Sequence, residues 1–199
     1  MRGQFDCLGI STPDRRAAVM PLIRAFKPAR AEELRETAER LWAMREREYQ
    51  YVAADLLVRC QDALSLDDLA WLLELAQKKS WWDTVDCIVK VVGKIVRRSG
   101  VKGVRAMDRG IRDTNFWVRR IAMLHQLGWR GDTDTERLFR YAEFLAPEKE
   151  FFVRKAIGWA LRQYAWTDGA DIKKYVRLNR ARLSNLSCRE ALKNIGRAR

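Results

Sequence analysis

Apolar residues recur at three- and four-residue spacings along nearly the whole chain, as in Leu69, Leu72, Leu73, Leu75 and Ala76. That period lays them along one face of an α-helix, whereas a half-buried strand would alternate them two by two. Only 4 Pro and 11 Gly interrupt the pattern in 199 residues, so the chain is predicted to be all-helical. Helix starts are predicted at four capping patterns: Ser65-Leu66-Asp67-Asp68, Ser80 to Asp83, Thr133-Asp134-Thr135-Glu136 and Ser187-Cys188-Arg189-Glu190. Thr12-Pro13-Asp14 adds a proline start. Breaks are predicted near Ser99-Gly100, Gly110, Gly131 and Asp168-Gly169.

An aromatic pattern repeats within this helical background. Tyr49, Trp81, Phe116 and Phe151 follow one another at roughly 32 to 35 residues, the length of one antiparallel helix pair. Pairs of this kind cannot bury their apolar faces singly and stack on their neighbours. The expected fold is an all-α, HEAT-like repeat superhelix, an α-solenoid whose first helices are convex and whose second helices line a basic concave groove. If the aromatic segments begin the second helices, Arg119, Arg120, Arg154 and Lys155 are expected as its exposed lining.

The formal charge of +13 and a pI near 10 favour a polyanionic partner, because each phosphate neutralised by Lys or Arg releases a counterion. Nucleic acid fits better than a membrane, since no segment combines a basic face with an amphipathic anchor. Neither a run of ~20 apolar residues nor a secretory signal is present, so a soluble, cytoplasmic protein is expected. Cys7, Cys60, Cys87 and Cys188 lack CxxC spacing, and one His is present, which points to reduced structural thiols and no metal site.

Against this basic background stands Ser80-Trp81-Trp82-Asp83-Thr84-Val85-Asp86. The Ser80 to Asp83 spacing gives Asp83 a capping role, while Trp82 and Asp86, four apart, share a helix face. Spacing adds Arg120 and Trp159 as the corresponding residues of later repeats. His125 lies on an otherwise apolar helix and is read as packed. Trp42, Trp71, Trp81 and Trp117 are read as core. The basic tail from Lys193 to Arg199 is expected to touch a polyanion nonspecifically.

Several segments in order resemble the AlkD-like DNA alkylation-repair glycosylases. They are Leu8-Gly9-Ile10-Ser11-Thr12-Pro13-Asp14-Arg15-Arg16, Arg45-Glu46-Arg47-Glu48-Tyr49-Gln50, the Ser80 to Asp86 stretch, Trp117-Val118-Arg119-Arg120, Glu150 to Trp159, and Leu186-Ser187-Cys188-Arg189-Glu190-Ala191. The resemblance implies a monofunctional glycosylase that removes cationic N3- or N7-alkylated purines from double-stranded DNA without flipping the base. It implies Asp86 as catalytic acid, Trp82 and Trp159 as flanking indoles and Arg120 as active-site arginine, the last suited to gripping a backbone phosphate. Arg119, Arg154 and Lys155 are expected to contact DNA. No cofactor and no metal are expected, and a monomer is. Members of that family carry a helical segment ahead of the Leu-Gly-Ile element, whereas this chain begins almost at that element. The expectation is therefore one domain over residues 1–199 without that segment, and lower stability. Two other readings stay open: a non-catalytic HEAT-like module that binds damaged or branched DNA, and a protein-interaction scaffold, which has no need of +13.

Overall fold

The structure, a computed structural model, describes residues 3–193 and 195. Of the basic tail, residues 194 and 196–199 lie outside the described residues. Among the described residues there are ten α-helices and no strand. They are α1 (Thr12–Ala25), α2 (Ala31–Ala43), α3 (Arg47–Arg59), α4 (Leu69–Gln77), α5 (Trp82–Gly110), α6 (Phe116–Leu124), α7 (Thr135–Phe144), α8 (Phe151–Tyr164), α9 (Gly169–Leu178) and α10 (Asn185–Leu192). The aromatic repeat marks the starts of α3, α5, α6 and α8, as expected from its period. Among the described residues no helix is long and apolar enough to cross a membrane.

The chain divides into two compact units at Gly100. There α5 is interrupted by a non-helical residue with φ 52° and ψ −131°, a left-handed φ that glycine adopts without a Cβ penalty.

In the first unit α3 packs on α1 and α2. Its core includes Leu34, Ala38, Ala53, Leu57, Leu72, Val85, Ile88 and Ile95, all essentially inaccessible. Two buried polar residues of α3 tie down neighbouring chain. Glu48 accepts from the amides of Leu8, Gly9 and Ile10 at 2.9, 3.0 and 3.3 Å, pinning the segment before α1. Burial pushes the Glu48 carboxyl up, and these amide donors outweigh it, leaving it below the usual range. Gln50 donates to Trp42 O at 3.0 Å and Met44 O at 2.7 Å, satisfying carbonyls at the end of α2.

In the second unit α8 packs between α6 and α10. Val118, Ile121, Val153, Ile157, Leu161 and Ala191 are buried there. Gly158 lets α10 approach α8 closely: a Cβ at this position would lie 2.5 Å from Glu190 Cβ and 2.7 Å from Ser187 O. Around it, Ser187 Oγ donates to Arg154 O at 2.8 Å and Arg162 Nη1 reaches Glu190 Oε2 at 2.5 Å.

Capping follows the sequence at some helix starts and departs from it at others. Ser65 and Asp68 form the expected capping box, at a 3-10 turn leading into α4. The cap of α7 is Asp134, which accepts from Arg137 N at 2.9 Å. Ser187 does not start α10: Ser184 caps it, and Ser187 is buried inside the helix. The proline start of α1 is capped by Ser11, which accepts from Asp14 N at 3.3 Å.

Candidate active site

The first turn of α5 is held by a buried guanidinium from the start of α3. Arg47 is inaccessible to solvent. Its Nη1 donates to Lys79 O at 2.7 Å, and its Nη2 donates to Asp83 Oδ1 at 2.5 Å and Thr84 Oγ1 at 2.9 Å. The Phe5 ring covers the same guanidinium, 4.2 Å from its carbon to the ring centroid. Tyr51, one turn beyond Arg47, donates its hydroxyl to Asp83 Oδ2 at 2.7 Å. Burial and that carboxylate push the Tyr51 phenol up to about 12, so it stays a donor at neutral pH.

The Asp83 carboxylate is thus committed to Arg47 and Tyr51, with Oδ1 also accepting from Thr84 N at 2.7 Å. Its role is structural, as expected, but the partner comes from another helix rather than from a Ser80 capping box. On the turn so fixed, Trp82 is 48% exposed, and Asp86 follows one turn later, partly buried. Cys87, beside Asp86, is free, with its thiol pushed up by burial. Trp42 is buried and donates its indole N–H to Lys78 O at 2.8 Å, as befits core. Trp71 is only partly buried and donates to Glu39 at 2.6 Å.

In the second unit Asn115 caps α6 by accepting from Trp117 N at 2.8 Å. Trp117 is buried, as expected, with its ring centroid 4.9 Å from that of Phe152. Arg120 is only 3% exposed. Its Nη1 donates to Phe152 O at 2.6 Å, and its guanidinium carbon lies 5.8 Å from the Trp159 ring centroid. Arg120 and Trp159 are therefore brought together by the packing of α6 on α8.

The expected exposed lining of four cations is corrected by this geometry. Arg120 is buried, and Arg119 donates to Asp113 O at 2.7 Å and Thr114 O at 2.8 Å, with its Nε 2.7 Å from Glu148 Oε1. Arg154 is partly buried and donates Nε–H to Glu148 O at 2.5 Å. Lys155 alone of the four is fully exposed, its ammonium 5.7 Å from the Phe151 ring centroid. A sequence shows charge spacing and not which cations are consumed by carbonyls at neighbouring helix ends.

His125 is packed, as its apolar surroundings imply. It is 1% exposed, its Nδ1 lies 2.6 Å from Ala122 O and its ring meets Trp129 edge-on at 5.4 Å. Burial lowers its pKa to about 4, so the ring is neutral at pH 7, with Nδ1 as donor. Among the described residues no three His, Cys, Asp or Glu side chains converge in the manner of a metal site.

The residues that sequence reasoning passed over are Arg47 and Tyr51. Their i, i+4 spacing on α3 was visible. Their partner at position 83 was not, because it lies more than thirty residues away.

An all-helical repeat chain with a partly exposed tryptophan and a carboxylate on one helix face defines the class as helical-repeat proteins. The sequence profile of the DNA alkylation repair enzymes matches residues 1–195, and the chain belongs to that family. It is similar to a predicted DNA alkylation repair enzyme from Enterococcus faecalis: 31% identical, TM-score 0.87, covering 99% of this chain and 92% of that one. AlkD2 from Streptococcus mutans shares the fold at 16% identity and TM-score 0.68, covering 96% of this chain and 93% of that one. The protein smu.31 from Streptococcus mutans UA159 does so at 15% identity and TM-score 0.68, with 92% of each chain covered. No curated protein matches significantly.

Proposed function

We propose that this chain is a monofunctional DNA glycosylase that hydrolyses the N-glycosidic bond of cationic N3- or N7-alkylated purines in duplex DNA, without flipping the base. The observation that carries the reading is the first turn of α5. The side chains of Asp83 and Thr84 in it, and the Lys79 carbonyl ahead of it, are held by a solvent-inaccessible arginine, and the turn offers an exposed indole with a partly buried carboxylate one turn on.

In this reaction the C1′–N bond breaks with its electron pair going to the purine. The cationic base leaves neutral, positive charge appears on the sugar, and water adds at C1′ with loss of a proton. Asp86 stabilises the sugar cation and orients or deprotonates the water. Trp82 and Trp159 hold the deoxyribose and add cation–π stabilisation. Because the leaving group is already charged, modest assistance suffices, and selection follows charge and lability more than base shape. Lys155 contributes a phosphate contact, and Arg119 and Arg154 do so with whatever donors the Glu148 contacts leave. Arg120, with one nitrogen committed to Phe152 O, serves chiefly to orient Trp159.

The test is base release from duplex DNA containing N7-methylguanine, in chelator-containing buffer, by the unaltered chain and by Asp86→Asn. The expected outcome is release by the former, none by the latter, and duplex affinity equal or slightly higher in the variant. Release that survives Asp86→Asn would remove Asp86 from the chemistry. Tight duplex binding by folded, unaltered protein with no release would favour a non-catalytic DNA-binding module.

A further inference from the structure

Away from Trp159, at the amino-terminal end of α8, the second unit carries an open cavity of about 520 Å³. It is walled by the start of α8 and by the connection from α9 into α10. Three cations line it, Lys149, Arg154 and Arg180, and no carboxylate does. Lys149 and Arg180 are exposed. The acidic residues flanking Lys149 in the chain lie outside the lining: the Glu148 carboxylate is 2.7 Å from Arg119 Nε, and Glu150 immediately precedes α8.

Two further features give the cavity a direction. Asn185 and Leu186, the first two residues of α10, line it. Amides at those positions have no acceptor within their own helix, whereas Ser187 N is already bonded to the Ser184 cap at 3.0 Å. Phe151, 53% exposed, supplies an apolar wall. Guanidinium, ammonium and helix-terminal N–H groups around one cleft favour a tetrahedral oxyanion. An open cleft of this volume with an aromatic wall accommodates a phosphodiester together with a flanking sugar.

We infer that this cavity is a phosphodiester subsite that grips the DNA backbone through Lys149, Arg180 and the free part of Arg154. The inference rests on the duplex-binding part of the proposed function and not on its chemistry. It adds two residues, Lys149 and Arg180, which no repeat pattern in the sequence marks, and it places a backbone contact on the α9–α10 connection.

The experiment is fluorescence anisotropy of undamaged duplex DNA with the full chain, titrated with salt. Lys149→Ala with Arg180→Ala is compared with the unaltered chain, and folding is checked by thermal melting. Both side chains are exposed, so the double variant is expected to melt with the unaltered chain. Loss of one phosphate contact makes the slope of log affinity against log salt shallower by roughly 0.9. Between about 50 and 200 mM salt, the affinity advantage of the unaltered chain should therefore shrink by roughly 3.5-fold. Lys173→Ala on α9, which removes an exposed charge outside the cavity, should leave the slope as it is, and Arg180→Lys with Lys149→Arg should retain it.

An unchanged slope in the double variant overturns the subsite, as does an equal change in Lys173→Ala, which would indicate bulk charge alone. Failure of the unaltered chain to bind duplex DNA overturns it together with the duplex-binding reading. Duplex binding with no base release, by contrast, counts only against the glycosylase.

Discussion

Replacing Gly158 by alanine tests the packing that carries Trp159. In an exposed helix interior this change stabilises by about 1 kcal/mol, because alanine has less backbone freedom to lose. Here the new Cβ falls 2.5 Å from Glu190 Cβ, 2.7 Å from Ser187 O and 3.3 Å from Ala191 N. Two of those three atoms are backbone, so no side-chain rotation relieves the overlap, and ordinary carbon contacts begin near 3.5 Å. α10 must move off α8 by about 1 Å. That shift also strains the Ser187 bond to Arg154 O and the Arg162–Glu190 pair. Overpacking of about 1–3 kcal/mol, with about 1 kcal/mol for a lost hydrogen bond, outweighs the propensity gain. The net cost is about 2 kcal/mol, and Tm should fall by roughly 4–8 °C for a chain of this size. The assay is thermal melting followed by circular dichroism, with Gly169→Ala as the matched control. At Gly169, in the first turn of α9, the added methyl finds its nearest neighbour at an ordinary 3.6 Å, so Tm should hold or rise. Base release should fall with Gly158→Ala at temperatures where the variant remains folded, because Trp159 follows Gly158 directly. A Tm for Gly158→Ala equal to or above that of the unaltered chain would refute the reasoning.

Two further outcomes follow from buried polar groups. Burial holds the folded-state pKa of His125 at about 4, below its ordinary 6.5, so between those values the unfolded chain binds the proton first. Stability contributed by the neutral ring is complete above pH 6.5 and declines as pH falls towards 4, by about 2 kcal/mol at pH 5. Urea denaturation at pH 7 and pH 5 should show this loss in the unaltered chain and less of it in His125→Gln, and equal losses in the two would exclude His125 as the source. Arg47→Met should cost about 3–5 kcal/mol, since it strips the partly buried Asp83 carboxylate of its counterion. A denaturation midpoint close to that of the unaltered chain would show that Phe5, Tyr51 and Thr84 hold the first turn of α5 without it.

The sequence by itself determined the helical class, the repeat and several of the helix starts. Each of these depends on neighbours within a few residues: apolar spacing, the Ser65 and Asp68 capping box, the glycine break at position 100. The pairing of Trp82 with Asp86 on one face was legible for the same reason, and so was the packing of His125 in an apolar helix. Only the tertiary structure decided which partners the polar groups took. Asp83 had a capping spacing to Ser80, yet a guanidinium buried at the start of α3 offers a stronger, charge-assisted bond than a helix-end amide. Ser187 had a capping spacing to Glu190, yet it lies inside α10, facing Arg154 O across the contact that Gly158 permits. Arg119 and Arg120 looked like two exposed cations, yet one is held by loop carbonyls and Glu148 and the other is buried against Phe152 O near Trp159. A helical period reports which face is apolar. Which carbonyl or carboxylate consumes a given cation depends on helices brought together from tens of residues away, and that competition is settled by packing.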